Sequence, residues 1–205
     1  MNYQKLNVVM VVTEVQELNN ITMRFVSIDP SLTHTGIVWG EIKDNKIHTD
    51  GMMLLETEKT KNKQVRASSD TIDRCRYTYN NLMNLINNIQ PQVIFVETPS
   101  GSQSSDGMKS YGAVCQLIAT LNPIPIEVTP TEVKMATVGN KTASKLDMIK
   151  WAYDRFEINW FRSTKGFKMH DGEILAHKNE HIADACCIAV AGMQTRQYNQ
   201  IAHII

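Results

Sequence analysis

The stretch MRFVSIDPSLTHTG, residues 23–36, decides the fold. Its run RFVSID is rich in strand-forming residues and predicts a strand that ends at Asp29, where Pro30 stops the hydrogen-bonding ladder. After a turn, THTGIVWGEI predicts a second strand, and the turn at residues 44–46 leads into a third, IHTDGMMLLE. We therefore expect the chain to open with three antiparallel strands.

The rest of the chain predicts helices and two more strands. Residues 64–89 favour one long amphipathic helix, because apolar side chains recur at spacings of three and four: Ile72, Cys75, Tyr79, Leu82, Met83 and Ile86. QVIFVE is a continuous apolar run closed by Glu97, typical of a strand covered on both faces, and PIPIEV predicts a short fifth strand. Helical patterns also occur in residues 105–121, TEVKMATV, ASKLDMIKWAYDRF and KNEHIADACCIAVAGMQTRQ. The predicted class is α/β, with a mixed five-stranded sheet and helices on both faces.

Length and composition bound the class without naming a function. A chain of 205 residues with 42% hydrophobic and 20% charged residues is typical of one globular domain. We predict an N-terminal extension at residues 1–22, the domain at 23–197 and a C-terminal tail at 198–205. The four cysteines show no C-x-x-C spacing, which indicates reduced thiols. The apolar patch LNVVMVV is too short to span a bilayer, so we expect a cytoplasmic protein.

The charge balance points weakly away from a protein that coats duplex DNA. The formal net charge is zero, whereas such proteins usually carry a basic surplus. The charge is uneven, however, because residues 134–178 hold nine lysines and arginines against five acids. That segment is locally basic.

Three acids carry the chemistry that we infer from the sequence. Asp29 and Glu97 each end a strand-like apolar run, and Asp184 interrupts the apolar pattern of the last helix. A carboxylate beside apolar residues is costly unless a partner neutralises it, and a divalent cation is one such partner. Oxygen ligands suit Mg²⁺ or Mn²⁺, and two such ions roughly 4 Å apart can promote phosphodiester cleavage. His181, three residues before Asp184, shares its helical face and is a candidate for metal binding or proton transfer.

Each of these residues also has a plainer interpretation. A single carboxylate at a strand end is most often a turn former or a surface charge, and a single histidine on a helix is usually structural. The order of the acids along the chain and their position at strand ends favour the functional interpretation.

Four segments of the chain resemble the motifs of the RuvC family of Holliday junction resolvases. MRFVSIDPSLTHTG is similar to the family's opening, in which the first strand ends in a catalytic aspartate followed by proline. VIFVETP resembles the second motif, and VKMATVGNKTASKLDMIKWA resembles the segment with a VK pair, a VxG turn and a helical lysine. HIADACCIAVA resembles the last motif, an H-x-x-D or D-x-x-D before an alanine-rich helix. The resemblance runs in order from about Met23 to Ala191.

The resemblance implies a ribonuclease H-like fold and metal-dependent incision of four-way DNA junctions by a homodimer, in a bacterial or phage-infected cell. It implies Mg²⁺, or Mn²⁺, with two ions per active site. The implied catalytic and metal-binding set is Asp29, Glu97, His181 and Asp184, with Glu180 as a further candidate ligand. The candidates for contact with DNA phosphates are Lys134, Lys141 and Lys145, although a helical lysine is often only a solvated side chain.

One departure from the family leaves the substrate open. Family members often carry an aromatic residue a few positions after the second-motif glutamate, whereas here Glu97 is followed by TPSGSQSSDG and no aromatic occurs before Tyr111. A broader nuclease of branched DNA is therefore an alternative, as is a junction-binding protein without catalysis. RNase H activity or transposase-like strand transfer would use the same acids on the same fold. An actin-like ATP-binding phosphotransferase is a further alternative, but the turn DPSLTHTG is poor in glycine and the chain has residues for only one such domain.

Overall fold

A mixed five-stranded sheet forms the centre of the molecule. The computed structural model describes residues 22–101 and 103–203. The strands of the sheet are β1 (Thr22–Asp29), β2 (His34–Lys43), β3 (Lys46–Glu56), β4 (Val93–Glu97) and β5 (Ile126–Val128). Their order is β3-β2-β1-β4-β5; β2 is antiparallel to β1 and β3, and β4 is parallel to β1 and β5. The predicted sheet and its three antiparallel opening strands are confirmed.

Helices cover both faces of the sheet, as predicted. One face packs against α1 (Ala67–Ile89) and α2 (Ser105–Ala119), where Leu82 and Val114 join the buried cluster of Val26, Ile28 and Val96. The other face packs against α3 (Pro130–Thr137), α4 (Lys145–Tyr153), α5 (Asn179–Met193) and α6 (Arg196–Ala202). Alternate residues of β1 supply the two cores, since successive side chains of a strand point to opposite faces.

Helix α5 lies at the centre of the second face and approaches the sheet closely. Its sequence is rich in alanine, and small side chains let the helix axis come near the strands. A Cβ added at Gly192 would lie 2.1 Å from the ring of Phe95, so glycine is required at that crossing. The buried Ser27 hydroxyl of β1 donates a 2.6 Å hydrogen bond to the Ala185 carbonyl oxygen. These contacts fix the position of α5 relative to β1 and β4.

The buried face of α1 differs from the predicted one in its first half. Leu82 and Ile86 are buried as predicted, but Ile72 and Tyr79 are exposed. The inward positions of that half belong to Arg74 and Thr78. The guanidinium of Arg74 is buried because it donates hydrogen bonds to Thr57 Oγ1, Leu32 O and Thr33 Oγ1. Apolar spacing alone does not reveal a polar anchor of this kind.

Two elements of the structure were not predicted. A hairpin of β6 (Arg162–Lys168) and β7 (Ile174–Leu175) lies between α4 and α5. Its first strand is almost wholly exposed, so it lacks the apolar alternation by which strands are recognised in sequence. Helix α6 spans the predicted start of a C-terminal tail at residue 198, and Tyr198 is buried with its ring 5.8 Å from that of Phe95. The predicted extension lies, apart from Thr22, outside the described residues.

The cysteines and the helices bear on two further expectations. Cys75, Cys115, Cys186 and Cys187 are all free thiols, as predicted. Within residues 22–101 and 103–203, no helix combines the length and the apolar character that crossing a membrane requires.

Candidate active site

The first two acids of the site lie side by side at one edge of the sheet. Asp29 ends β1 and Glu97 ends β4, and these strands are parallel neighbours with Ile28 paired to Val96. Because the carboxyl ends of neighbouring parallel strands meet at the same edge, the two carboxylates converge there. Both are partly buried, since the residues that precede them are core residues of the sheet.

The first two turns of α5 bring His181 and Asp184 to the same edge. Asn179, the first residue of α5, is fully buried and directs the chain into the helix. Its amide Nδ2 donates to Phe161 O at 2.7 Å and to Ala176 O at 2.9 Å, and its Oδ1 accepts from Phe161 N at 3.0 Å. Asn179 therefore connects the start of α5 to the segment before β6. This connection fixes the position of the helix turns that carry His181 and Asp184.

Strand β2 packs directly under the backbone of His181. A Cβ added at Gly36 would lie 2.0 Å from His181 O, so only glycine allows this approach of helix to strand. Gly36 is paired with Asp29 across the sheet. The glycine of the THTG sequence therefore places the histidine backbone beside the strand that carries Asp29.

The imidazole of His181 has a neighbour on each edge and on one face. Its Nδ1 lies 2.9 Å from Asp29 Oδ2, within hydrogen-bonding distance, and its Nε2 lies 3.5 Å from Glu180 Oε1. The ring of His34 stacks against it, with the ring centroids 5.0 Å apart and the planes 6° from parallel. His181 is thus held between two carboxylates and a second imidazole.

Burial and neighbouring negative charges raise the pKa of two acids of the site, Glu97 and Asp184. Burial, followed by the negative charges of Asp29 and Asp184, raises the pKa of Glu97 to about 8. Burial also raises the pKa of Asp184 to about 7, and the charge of Asp29 adds to the effect. Without a cation the cluster therefore binds protons near neutral pH, which is the behaviour of acids built to share a positive ligand.

The neighbouring acids also raise the pKa of His181, but for an imidazole a raised pKa favours the charged form. Burial alone would lower its pKa, but the hydrogen bond to Asp29 and the charges of Asp29, Glu180 and Asp184 outweigh burial. The net pKa of His181 lies above its ordinary value. The protonated imidazole is consequently favoured in the presence of ionised acids.

Two of the three predicted lysines lie near the acids. The charge of Lys134 acts on Glu97 and that of Lys145 acts on Asp184, lowering the pKa of each acid in part. Lys145 Nζ also lies 3.0 Å from Glu180 Oε1. Lys141 is exposed in the turn between α3 and α4.

The donor set suits a hard divalent cation. In the described part of the chain no three His, Cys, Asp or Glu side chains lie close enough together to hold a metal ion by themselves. Mg²⁺ does not need three such ligands, since it usually takes one or two carboxylates and completes its shell with water and substrate phosphates. Asp29, Glu97 and Asp184 supply carboxylate oxygens, and burial together with neighbouring negative charge raises the pKa of Glu97 and of Asp184, so a bound cation would stabilise their ionised forms.

Three residues that position the site were missed in the sequence. They are His34, which stacks on His181, Asn179, which directs α5, and Ser27, which bonds the backbone of α5. The local signal for His34 was its place two residues before Gly36 in the segment THTG, and nothing in the spacing joins residue 34 to residue 181. Such pairings depend on how α5 crosses β2, which is a tertiary property.

No family model matches the chain. The chain is 26% identical over 140 residues to the crossover junction endodeoxyribonuclease RuvC of Prochlorococcus marinus, covering 67% of this chain and 84% of that protein. It is also similar to the structure of T. thermophilus RuvC in complex with a Holliday junction substrate, with a TM-score of 0.55 and 16% identity. A second Thermus thermophilus RuvC structure gives a TM-score of 0.50 and 18% identity. Each structural match covers 82% of this chain and 92% of the other.

The strand order and the two structural matches show a ribonuclease H-like fold. The chain is similar to RuvC proteins both in sequence and in fold.

Proposed function

We propose that this protein is a metal-dependent, structure-selective endonuclease that resolves Holliday junctions. The observation that carries the proposal is the convergence of Asp29, Glu97 and Asp184 at one edge of the sheet, where burial and the charge of Asp29 raise the pKa of Glu97 and of Asp184. The similar proteins support it, since one is a crossover junction endodeoxyribonuclease and another was solved in complex with a Holliday junction substrate. The proposed process is paired phosphodiester hydrolysis in DNA recombination or repair.

In this proposal Asp29, Glu97 and Asp184 hold Mg²⁺, or Mn²⁺, and the full site takes two ions. Bound divalent ions supply an activated water and stabilise the leaving oxygen of a phosphodiester. The chain's own acids must lose their protons to bind the metal, because a protonated carboxyl group is a poor ligand. The raised pKa values of Glu97 and Asp184 therefore couple metal binding to proton release near neutral pH.

His181 belongs to the proposed catalytic and ligand set. Its Nδ1 is occupied by Asp29 at 2.9 Å, so Nε2 is the atom that remains for a ligand or a proton. A protonated imidazole hydrogen-bonded to a carboxylate holds its proton at a fixed place beside the reacting phosphate, which is the geometry a general acid needs. Glu180 faces Nε2 at 3.5 Å and is the further candidate ligand.

Lys134, Lys141 and Lys145 are the proposed contacts to DNA phosphates. Lys134 and Lys145 lie beside the acids. If the metal holds the phosphate that is cut, the neighbouring phosphates of the same DNA strand would lie close to these lysines. Lys141 lies in the exposed turn between the helices that carry the other two. Contacts of this kind position the backbone and carry no base specificity.

The proposal includes a homodimer. A four-way junction presents two symmetric strands, and a two-fold dimer presents one site to each. The first half of α1 and the facing part of α2 form an exposed apolar groove, lined by Ile72, Tyr79 and Leu117. Exposed apolar surface of this kind marks protein contacts, so we assign the second copy to the groove. Sedimentation of the Ile72→Glu variant should show a monomer if the assignment is correct.

The test is cleavage of a labelled synthetic four-way junction beside a Y-fork, a nicked duplex and an RNA–DNA hybrid. Each substrate is incubated with the protein in Mg²⁺, in Mn²⁺ and in EDTA. Cutting of the junction alone, absent in EDTA, would support a resolvase. Preferential cutting of the hybrid would favour RNase H activity instead. Junction binding without cutting in either metal would indicate a non-catalytic binding protein.

A broader nuclease of branched DNA is a second candidate, favoured by one observation. The segment that follows Glu97 carries no aromatic side chain before Tyr111, and Tyr111 lies within α2 rather than at the site edge. A protein without an aromatic wedge there has less means to select a junction by opening it. Equal cutting of the Y-fork and the junction would establish this candidate.

A further inference from the structure

His34 has an unusually constrained position for a half-exposed side chain at the start of a strand. The backbone N–H of His34 donates a hydrogen bond to Ser31 Oγ at 3.4 Å, and His34 pairs with Glu56 between strands β2 and β3. The preceding Thr33 and Leu32 receive hydrogen bonds from the buried Arg74. The backbone that carries His34 is therefore held from both sides.

The ring of His34 is fixed mainly by stacking. Its Nε2 lies 3.8 Å from Glu56 Oε1, and Lys178 Nζ lies 3.4 Å from the other oxygen of that carboxylate. His34 and Glu56 are 39% and 47% exposed, so this ion pair alone contributes little. The stacking contact with His181, with 5.0 Å between the ring centroids and 6° between the ring planes, is therefore the main contact that orients the His34 ring.

We infer that His34 is a positioning residue. Its ring stacks on one face of the His181 ring and keeps Nδ1 of His181 directed toward Asp29. Among residues 22–101 and 103–203, the polar contacts of the His181 ring lie at its edges, where it meets Asp29 and Glu180. A ring held at its edges alone can rotate about the Cβ–Cγ bond and tilt out of plane. A stacked neighbour on one face removes that freedom. The inference rests on the proposed function, in that positioning matters only if His181 takes part in cleavage.

The stacking itself is tested by NMR without any cleavage. In the metal-free wild-type protein, ring protons of His181 should be displaced by the ring current of His34. His34→Ala should abolish the displacement, whereas His34→Phe should retain it because phenylalanine keeps a ring in the same place. His48→Ala, an exposed histidine on β3, is the matched control and should leave the His181 signals unchanged.

Single-turnover cleavage of a four-way junction tests the consequence. We expect His34→Ala to slow cutting about 3- to 10-fold, the range that one aromatic contact provides, with unchanged junction affinity. His34→Phe should restore the rate, since it supplies the ring without the imidazole nitrogens. A phenylalanine variant as slow as the alanine variant, or an alanine variant with the wild-type rate, would overturn the positioning role.

The two proposals fail in different ways. If the wild-type protein cuts no branched DNA, the nuclease proposal fails, and the NMR comparison still decides whether His34 holds the His181 ring. If the wild-type protein cuts junctions and His34→Ala changes neither rate nor spectrum, only the positioning role is lost.

Discussion

His181 Nδ1 lies 2.9 Å from Asp29 Oδ2, although 152 residues separate the two in the chain. The contact joins the end of the first strand to the start of the last long helix. It makes Asp29 both a candidate metal ligand and the group that orients the imidazole. Loss of this one carboxylate should therefore remove two contributions to the site at once.

The Asp29→Asn variant should bind a four-way junction but fail to cut it. Asparagine has nearly the same shape, so the fold is kept, but the side chain loses the negative charge needed for a metal ion and for the protonated imidazole. We expect at least a 10²-fold loss of rate, the scale typical of a lost catalytic group. Asp50→Asn, an exposed acid on β3, is the control and should cut at the wild-type rate. Normal cutting by Asp29→Asn would remove Asp29 from the mechanism.

The metal-free protein should become less stable as the pH rises from about 5 to about 8. The pKa of Glu97 is raised from 4.5 to about 8 and that of Asp184 from 3.8 to about 7, so the folded state holds protons that the unfolded state has lost. The stability that these two acids contribute is then fully present below about pH 4, falls as the pH rises above that value, and is lost once the pH has passed through about 7 and 8. Thermal unfolding in EDTA across this range measures the decline, and added Mg²⁺ should reverse part of it.

The Glu97→Gln variant should separate stability from activity. A neutral amide removes the repulsion at pH 8, so the metal-free variant should be more stable than the wild type by about 1–3 kcal/mol, or roughly 3–10 °C in Tm. Its cutting activity should be lost. Glu127→Gln, on the exposed side of β5, should change neither quantity. An unchanged or lower Tm for Glu97→Gln at pH 8 would contradict the raised pKa.

Gly36→Ala should damage the site through the backbone. The added methyl group would lie 2.0 Å from His181 O, so α5 must move away from β2. Overpacking of this kind costs about 1–3 kcal/mol, and the movement should also slow cutting. Gly112→Ala, on the exposed face of α2 with open space around it, should be neutral or stabilising. Denaturant unfolding and junction cleavage of both variants provide the comparison.

Lys134→Gln should weaken junction binding without selectivity for sequence. If Lys134 contacts a phosphate, its loss should reduce the dependence of log affinity on log salt concentration by about one unit. Lys43→Gln is the control, because Lys43 ends β2 at the edge of the sheet opposite the acids. Equal effects of the two substitutions in a salt titration would indicate that only net charge matters.

The sheet was predictable because its signals are local. The strands that end at Asp29 and Glu97 have strong apolar runs. These two strands are parallel neighbours in the sheet, and this pairing brings the two acids together. The hairpin of β6 and β7 has no such signal, since it is exposed and lacks alternation. The predicted buried face of α1 was wrong at Ile72 and Tyr79 because Arg74 occupies the inward position there.

The acids of the candidate site could be predicted from the sequence, but the residues that position them could not. Asp29, Glu97, His181 and Asp184 were named from apolar context, helical spacing and resemblance. The structure brings them to one edge of the sheet, but their catalytic roles stay predictions. His34 and Asn179 could not be named, because their importance depends on ring stacking and on hydrogen bonds across the fold.

The most direct test of the central claim maps the cuts in one synthetic four-way junction whose four strands are labelled in turn. In Mg²⁺ the wild-type protein should produce two nicks placed symmetrically in opposite strands, and none in EDTA. The same preparation should bind the junction in EDTA, which shows that the protein is folded and the substrate engaged. Binding without nicks in both Mg²⁺ and Mn²⁺ would contradict the proposal that Asp29, Glu97 and Asp184 form the metal site of a resolvase.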